Sequence, residues 1–448
     1  MTIEEKYTYM TTAPVEKIIP RLAVPTIISM LITSFYNMVD TLFVGKLNTS
    51  AQAGVGIAFS MMAIIQAFGF LFGQGSANYI SRALGQKKID KAQHMAACGF
   101  YYGISAGLLL MIAGLIFINP LCTMLGATDT SLPYTRSYLS LILIGAPVIT
   151  GSFVLNNQLR FQGNAVYAMI GIVSGAVLNI ALDPLLMFVF DMGVTGAALA
   201  TIISQCVGFI LLLIGTTKGG TIRIRIKNIS FDKFYFIEMF KAGVPSLCRQ
   251  GIASVSVIIL NQAAGGYGDC AIAAMSIVGR VSFFLNSIII GFGQGFQPVC
   301  GFNYGAKLYD RVKKAFWFCV KFGSIILILV SILTFIFAQS IVTFFTKGDM
   351  EVVKTGMVAL RYNCITFPLG AFTIMSNMML QSSGKALSAS VLSLARQGIF
   401  LIPILLISSS IFGLFGIQTA QPIADFCSFL LSIPLIISFF KELDKNKI

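Results

Sequence analysis

Twelve apolar runs, each near the roughly 20 residues a helix needs to cross a hydrocarbon core, divide this chain: 22–46, 52–81, 94–118, 134–157, 165–189, 193–215, 237–262, 271–301, 315–338, 355–380, 387–407 and 412–440. Lipid offers the backbone no hydrogen-bond partners, so runs of this length and polarity must close their own ladders as helices. The expected fold class is therefore an all-α membrane protein with twelve transmembrane helices. Charged residues make up 11% of the chain and hydrophobic ones 56%, whereas a soluble domain carries about 25% charged residues.

Orientation follows from where Lys and Arg fall, because cytoplasmic loops are enriched in them. Both ends and every second loop are basic, as in Arg82, Lys87, Lys88 and Lys91; Arg160; Arg223, Arg225 and Lys227; Arg311, Lys313 and Lys314; Lys385; and Lys441 and Lys445. The opposite loops hold few, among them Lys46, Arg136 and Lys347. Both termini are expected in the cytoplasm, in a bacterial inner (plasma) membrane. The formal net charge of +14 is spread over these loops instead of forming one basic face, which argues against nucleic acid as a partner. Met1–Pro20 holds five charged residues and no compact apolar core, so no cleaved signal peptide is expected.

An internal repeat organises the spans. Phe72-Gly-Gln-Gly75 recurs as Phe292-Gly-Gln-Gly295, and at the same offset of 220 Val24-Pro25 meets Val244-Pro245, Gly45 meets Gly265, Gly85 meets Gly305, Lys87 meets Lys307, and Gly193 and Gly196 meet Gly413 and Gly416. At offset 221, Pro147 meets Pro368, Leu159 meets Leu380 and Gly163 meets Gly384. Six spans per copy return the second copy to the same side, so the halves are parallel repeats. The expected layout is an N-terminal segment 1–21, an N-lobe of helices 1–6 over 22–215, a cytoplasmic linker 216–235, a C-lobe of helices 7–12 over 236–440 and a tail 441–448. The linker, in which Ile222, Ile224 and Ile226 alternate with Arg223, Arg225 and Lys227, reads as an interfacial segment drawn to anionic lipid.

The first span carries Thr26, Ser29, Thr33, Tyr36, Asn37 and Asp40 at helical spacing, hence on one face, while Ile27, Ile28, Leu31, Ile32 and Phe35 cover much of the rest. An acid at a helix centre is unfavourable by about 2.5–3.5 kcal/mol on insertion scales, so it faces a bundle interior and commonly serves an ion pathway. The alternative is a structural hydrogen bond to a neighbouring helix. Asn179 and Asp183 share a face of the fifth span, with Gly171 and Gly175 opening that helix to close approach. Counting 1.5 Å per residue from the outer ends puts Asp40, Asp183 and Thr201 within a few Å of one level, roughly 9–12 Å deep. At the equivalent places the second half has Leu260 and Pro403 or Ile404, so the acids belong to one lobe. A cluster of Asp40, Asn37, Asn179, Asp183 and Thr201 offers only oxygen ligands, which suits Na⁺ or a proton. Two close carboxylates in low dielectric require one or the other.

Other positions carry less. Nine cysteines lie mostly inside apolar runs without a C-x-x-C pair, so neither a metal site nor a disulfide framework is expected. The single histidine, His94, reads as structural or exposed. The Phe-Gly-Gln-Gly copies sit inside spans and no G-x-x-x-x-G-K-[ST] occurs, so their glycines read as close helix packing and not as a phosphate loop. Arg249, Arg280, Arg396 and Asp425 lie in spans of the second half, where Arg280 and Asp425 would pair, line a cavity or snorkel. Met30, Met61, Met62, Met275, Met375, Met378 and Met379 suit a cavity for varied guests, or equally core and lipid contact.

Taken together, Val24-Pro25, Asp40, Gly85 with its basic loop, Asn179-x-x-x-Asp183-Pro184 and Thr201 resemble the multidrug and toxic compound extrusion (MATE) transporters, of the bacterial DinF/MepA-type branch, over about residues 14–440. The resemblance implies a V-shaped pair of six-helix lobes that exports cationic or amphipathic drugs and other toxic organic compounds in exchange for H⁺ or Na⁺. It implies a cation-coupling site of Asp40, Asn179, Asp183 and Thr201, with Tyr36 and Asn37 beside Asp40 and Pro25 at a bend; Arg280 is added as a substrate or gating residue. The family's other branch has acids in the second lobe, whereas the stretch Ser246–Ser256 here has none and holds Arg249. No enzyme activity, no cofactor beyond the coupling ion and no obligate protein partner are expected; partners are small organic molecules and membrane lipid. Two other readings are a lipid-linked-precursor flippase, which calls for a strongly cationic cavity, and a membrane enzyme using the two acids, which lack an accompanying nucleophile or histidine.

Overall fold

The computed structural model describes residues 2–44, 47, 49–218, 222–346 and 349–446, without the side chains of Asn37, Thr41, Leu42, Thr49 and Asp269. Gly45, Lys46, Lys347, Lys447 and linker residues 219–221 lie outside the described residues. The first half comprises α1 (Ile3–Thr12), α2 (Val15–Val44), α3 (Thr49–Gly85), α4 (Ile89–Ile116), α5 (Ile118–Met124), α6 (Leu132–Phe161), α7 (Ala165–Pro184) and α8 (Gly193–Lys218). The second comprises α9 (Lys233–Gly265), α10 (Asp269–Gly305), α11 (Tyr309–Ile336), α12 (Ala338–Phe345), α13 (Met350–Ser382), α14 (Ala386–Leu394), α15 (Leu401–Phe412) and α16 (Leu414–Lys445). A π turn, Leu185–Val189, prolongs α7, and another, Ala395–Phe400, joins α14 to α15. Among the described residues twelve helical segments are long and apolar enough to cross a membrane. They overrun the apolar limits because polar flanking residues continue the helices: the first span begins at Val15, with Glu16 in its first turn.

Exposure is inverted relative to a soluble protein. On α4, Leu108, Leu109, Ile112 and Ile116 are 43–68% exposed, while Gly103, Gly107 and Gly114 are buried. Small residues let helices approach where lipid supplies no hydrophobic push.

The repeat extends to backbone conformation. Lys87 and Lys307 take φ of 59° and 60°, Gly163 and Gly384 78° and 81°, Gly193 and Gly413 52° and 61°. Asn156 Nδ2 donates to the Ala168 carbonyl at 3.1 Å, and 221 residues later Asn377 Nδ2 donates to the Ala389 carbonyl at 2.8 Å. Each half thus closes the turn after its fourth long helix with the same bond.

Three apolar clusters define the V. One, from Met10 to Leu443, draws on both halves. The second lies wholly within the first half, from Val44 to Ala198, and the third within the second half, from Ala264 to Ala424. The lobes therefore share a core on the side of the chain ends and keep separate cores on the other. The Phe-Gly-Gln-Gly glycines belong to the shared seam, as close packing requires: a β-carbon on Gly75 would lie 2.1 Å from the Met239 carbonyl oxygen, and one on Gly295 2.5 Å from Ala23 Cα.

The linker folds back on α4. His94 Nδ1 lies 2.8 Å from the Asn228 carbonyl oxygen, and the Tyr102 hydroxyl donates to the Ser230 carbonyl at 2.9 Å. Helix α1 opens with a capping box of Thr2 and Glu5 and bridges the lobes. Lys6 Nζ donates to Asn164 Oδ1 of the first lobe, while from the second lobe Asn303 Nδ2 donates to the Met10 carbonyl at 3.1 Å and Arg311 Nη2 to the Ala13 carbonyl at 2.7 Å. Burial pushes the Lys6 ammonium down to about 8, so docking α1 carries a desolvation cost that is full below that pH and lessens as pH rises from there toward the ordinary lysine value. Bonds of this kind contribute about 0.5–3 kcal/mol each. Deleting residues 2–13 is expected to lower the apparent melting temperature of the purified protein by roughly 4–8 °C; an unchanged value would show that α1 bears no load.

Candidate functional site

The polar face of α2 points inward. Thr26 and Ser29 are buried, whereas Val24, Ile28 and Phe35 are exposed. The hydroxyls of Thr26, Ser29 and Thr33 donate to the carbonyls of Leu22, Pro25 and Ser29 at 2.8–2.9 Å, so each is satisfied by its own helix. Pro25 lies within α2 as a carbonyl acceptor for that ladder of hydroxyls. Asp40, 3% exposed, has no such recourse: its Oδ1 has no donor among the described residues.

α2 packs along α7, and α7 along α8. Glycines set the second contact, since β-carbons on Gly175 and Gly208 would lie 3.1 Å from the Ser204 and 2.9 Å from the Gly171 carbonyl oxygens. Asn179, Asp183 and Thr201 are thereby buried, at 2%, 0% and 4% exposure. Asn179 Nδ2 donates to Asp183 Oδ1 at 3.1 Å, and the Thr201 hydroxyl, which donates to the Ala197 carbonyl at 3.0 Å, also lies in hydrogen-bonding reach of Tyr138. Asp40 and Asp183 act electrostatically on each other, and both act on Tyr36 and Tyr138. Beyond Asp183 the missing N–H of Pro184 interrupts the helical ladder and the π turn follows.

Oδ1 of Asp40, Oδ1 of Asn179 and Oδ2 of Asp183 are thus buried acceptors without donors among the described residues. Leaving acceptors of this kind bare costs about 1–3 kcal/mol each, more for charged groups. A proton or a hard cation among them supplies what the chain withholds.

The other residues singled out by spacing fall in different surroundings. Tyr36 is half-buried on the same helix as Asp40, and the side chain of Asn37 lies outside the described residues. Arg280 is exposed on α10 and is not brought to the acids. Nor does it pair with Asp425, whose oxygens are taken by Arg396 at 2.7 and 3.4 Å and by Gln421 at 2.9 Å. Two residues escaped the sequence reading. Tyr138 of α6 is fully buried, its hydroxyl 3.9 Å from Met62 Sδ, and the signal for it was a hydroxyl in mid-span. Arg160, read above as a loop cation, is 3% exposed inside α6; its signal was the polar run Asn156-Asn157-Gln158 before it, which continues the helix because each amide finds a partner.

Comparison with known proteins agrees with this architecture. The MatE family signature matches residues 25–185 and 245–407, one block in each half. The multidrug export protein MepA of Staphylococcus aureus (strain MSSA476) is 29% identical over 424 residues, 94% of this chain and 93% of its own. A solved structure described as the outward-facing conformation of a multidrug resistance MATE family transporter of the MOP superfamily superposes with a TM-score of 0.93 at 24% identity, covering 98% of each chain. A crystal structure of MATE in complex with MaL6 also gives 0.93 at 24% identity, covering 98% of this chain and 99% of that one. At that identity these two structures speak for the fold.

Proposed function

The chain belongs to the MatE family, whose signature spans both of its lobes, and we propose that it is a secondary antiporter that exports cationic or amphipathic organic compounds across the plasma membrane in exchange for H⁺ or Na⁺. The observation that carries this reading is the set of three unpartnered buried oxygens on Asp40, Asn179 and Asp183. The name of the MepA relative, a multidrug export protein, supports drugs as the substrate class.

The mechanism follows from the placement of that set. Asp40 and Asp183 sit within the first lobe on the packed pair α2 and α7, while α2 also runs along α10 of the second lobe. Taking up a cation relieves the repulsion between the carboxylates and lets α2 and α7 close on each other; releasing it lets them part. A ligand shifts a conformational equilibrium only by its difference in affinity for the two states. Here the difference arises because the shared core must repack when α2 moves. With both termini in the cytoplasm, as the loop charges suggest, the separate cores would face outward, and ion entry from outside would be coupled to substrate discharge there.

The coupling ion is identified by imposing a proton gradient and a sodium gradient separately on proteoliposomes loaded with a fluorescent organic cation. One of the two is expected to drive uphill movement. If neither does, the antiporter reading fails.

A further inference from the structure

Two arginines, one from each lobe, lie along the seam: Arg160 against Gln294 of α10, and Arg249 against Asn377 of α13. Arg160 Nη2 donates to Asn157 Oδ1 at 2.5 Å, Nη1 donates to Gln294 Oε1 across the seam on α10, and Nε has no acceptor. Arg249 of α9 reaches Asn377 Oδ1 at 3.5 Å, and its charge bears on Arg160. Among the described residues neither guanidinium has a carboxylate oxygen within 4.0 Å. Beyond amide oxygens Arg160 has only the face of the Phe161 ring, 5.8 Å from its Cζ, among the described residues, and a buried cation without an anion is an unfinished arrangement, since buried charges are otherwise paired.

The duplication shows that the fold does not need them. At offset 220 Arg249 corresponds to Ser29, and at offset 221 Arg160 corresponds to Gln381. Gln381 satisfies its place with neutral bonds, to the Ala242 carbonyl at 3.0 Å and the Ser246 hydroxyl at 2.8 Å. Each lobe has thus acquired one cation that its twin lacks, and the pseudo-twofold arrangement brings the two together. A cavity with room for about one water molecule adjoins Arg160 and is lined also by Thr26, Ser29, Met30, Met169 and Gln294, so a larger guest enters it only as the seam loosens.

We propose that Arg160 and Arg249 form an anion-binding locus at the inter-lobe seam, which receives the carboxylate, sulfonate or phosphate group of an amphipathic substrate. The planar guanidinium fork matches such groups in bidentate fashion, and the methionines beside it accept an apolar body. An anionic group takes over the donors now given to Gln294 and Asn377. Its arrival releases the Arg160–Gln294 bond between the lobes, so substrate binding loosens the seam that must open for transport. The proposal rests on the transporter reading and narrows its substrate class to zwitterionic and anionic amphiphiles.

The test is binding, which needs no gradient. Rhodamine B carries a free carboxylate, and its ethyl ester is a cation of nearly the same shape. In nanodiscs of phosphatidylcholine, fluorescence polarisation is expected to show the acid bound at least about tenfold more tightly than the ester, since a charge-assisted pair is worth that much. Arg249→Gln should erase the preference while the ester binds as before, Arg249→Lys should keep most of it, and Arg160→Gln should repeat the loss if that variant folds. Equal binding of the two dyes, binding of neither, or an Arg249→Gln loss shared by both dyes overturns the proposal; the last would mark the arginines as a clamp. Repeating the measurement in phosphatidylglycerol nanodiscs separates the sources of the anion. A preference lost there and kept in phosphatidylcholine supports the locus with a lipid headgroup as occupant, as a flippase would use it, while a preference kept in both supports it with a free amphiphile. A carboxylate preference without gradient-driven efflux sinks the coupling reading and leaves the locus; the reverse result sinks only the locus.

Discussion

Asp40→Asn is expected to abolish ion-driven export while leaving a folded protein inserted in the membrane. Asparagine keeps the size of the side chain and its acceptor oxygen, so packing against α7 changes little, but the negative charge that recruits a cation is gone. The size of the loss follows from the driving force. One elementary charge crossing about 100 mV is worth about 2.3 kcal/mol, which sustains roughly a 50-fold gradient of a neutral substrate at 1.4 kcal/mol per tenfold. Without coupling that ratio falls to about one. The measurement is the steady-state ratio of a fluorescent zwitterion without net charge across proteoliposomes under a fixed potential, beside the melting curve of the same preparation. Asp183→Asn should act likewise. Thr201→Ala should act more weakly, because its hydroxyl contributes an acceptor and no charge. Full export by Asp40→Asn would remove Asp40 from the coupling role.

What the sequence disclosed and what it hid divide along physical lines. The spans were legible because the bilayer enforces length and polarity on each run separately. The duplication was legible because the places that need an unusual backbone keep their residues, as the matching φ values of Lys87 and Lys307 and of Gly163 and Gly384 show. Depth counting sets Asp40 and Asp183 at one level because both are measured from a boundary along a rigid rod, and burial of both carboxylates at 3% and 0% exposure is in keeping with that. Partner choice across helices was not legible. Arg280 and Asp425 were the natural pair by span and charge, yet Arg396 occupies Asp425 from the π turn between α14 and α15, and a π turn rotates side chains out of the 3.6-residue pattern that spacing arguments assume. Arg160 was misread for a related reason. A hydropathy reading stops at the first polar run, whereas Gln158 is buried on the Ser76 hydroxyl and the Ala96 carbonyl, both at 3.0 Å, and such satisfaction depends on neighbours far away in the chain.

Gly85→Ala and Gly305→Ala, separately and together, are expected to drive the lobes apart on the side of the chain ends. The two glycines are repeat equivalents and pack reciprocally: a β-carbon on Gly85 would lie 2.1 Å from the Phe302 carbonyl oxygen, and one on Gly305 2.2 Å from the Arg82 carbonyl oxygen. Both obstacles are backbone, so no side chain can swing aside, and α3 and α10 must separate by about 1 Å or more to restore ordinary contact. Arg82 would be pulled from the second lobe, where its Nη1 donates to the Ser382 carbonyl at 3.2 Å and its Nη2 lies 3.7 Å from Glu238. Overpacking of this kind costs about 1–3 kcal/mol per site, and two sites together would change the ratio of closed to open seams by roughly 30-fold or more at 1.4 kcal/mol per tenfold. Spin labels at Gln86 and Lys307, both exposed, in a background with the native cysteines replaced, should report a longer and broader distance distribution for the double variant, with export reduced at least about tenfold. Gly56→Ala and Gly279→Ala provide the comparison, because a β-carbon at either meets nothing within 4 Å and helical alanine is favoured over glycine by about 1 kcal/mol. If the seam variants keep the original distance and merely melt earlier, the glycines serve packing alone and the seam is not the moving contact.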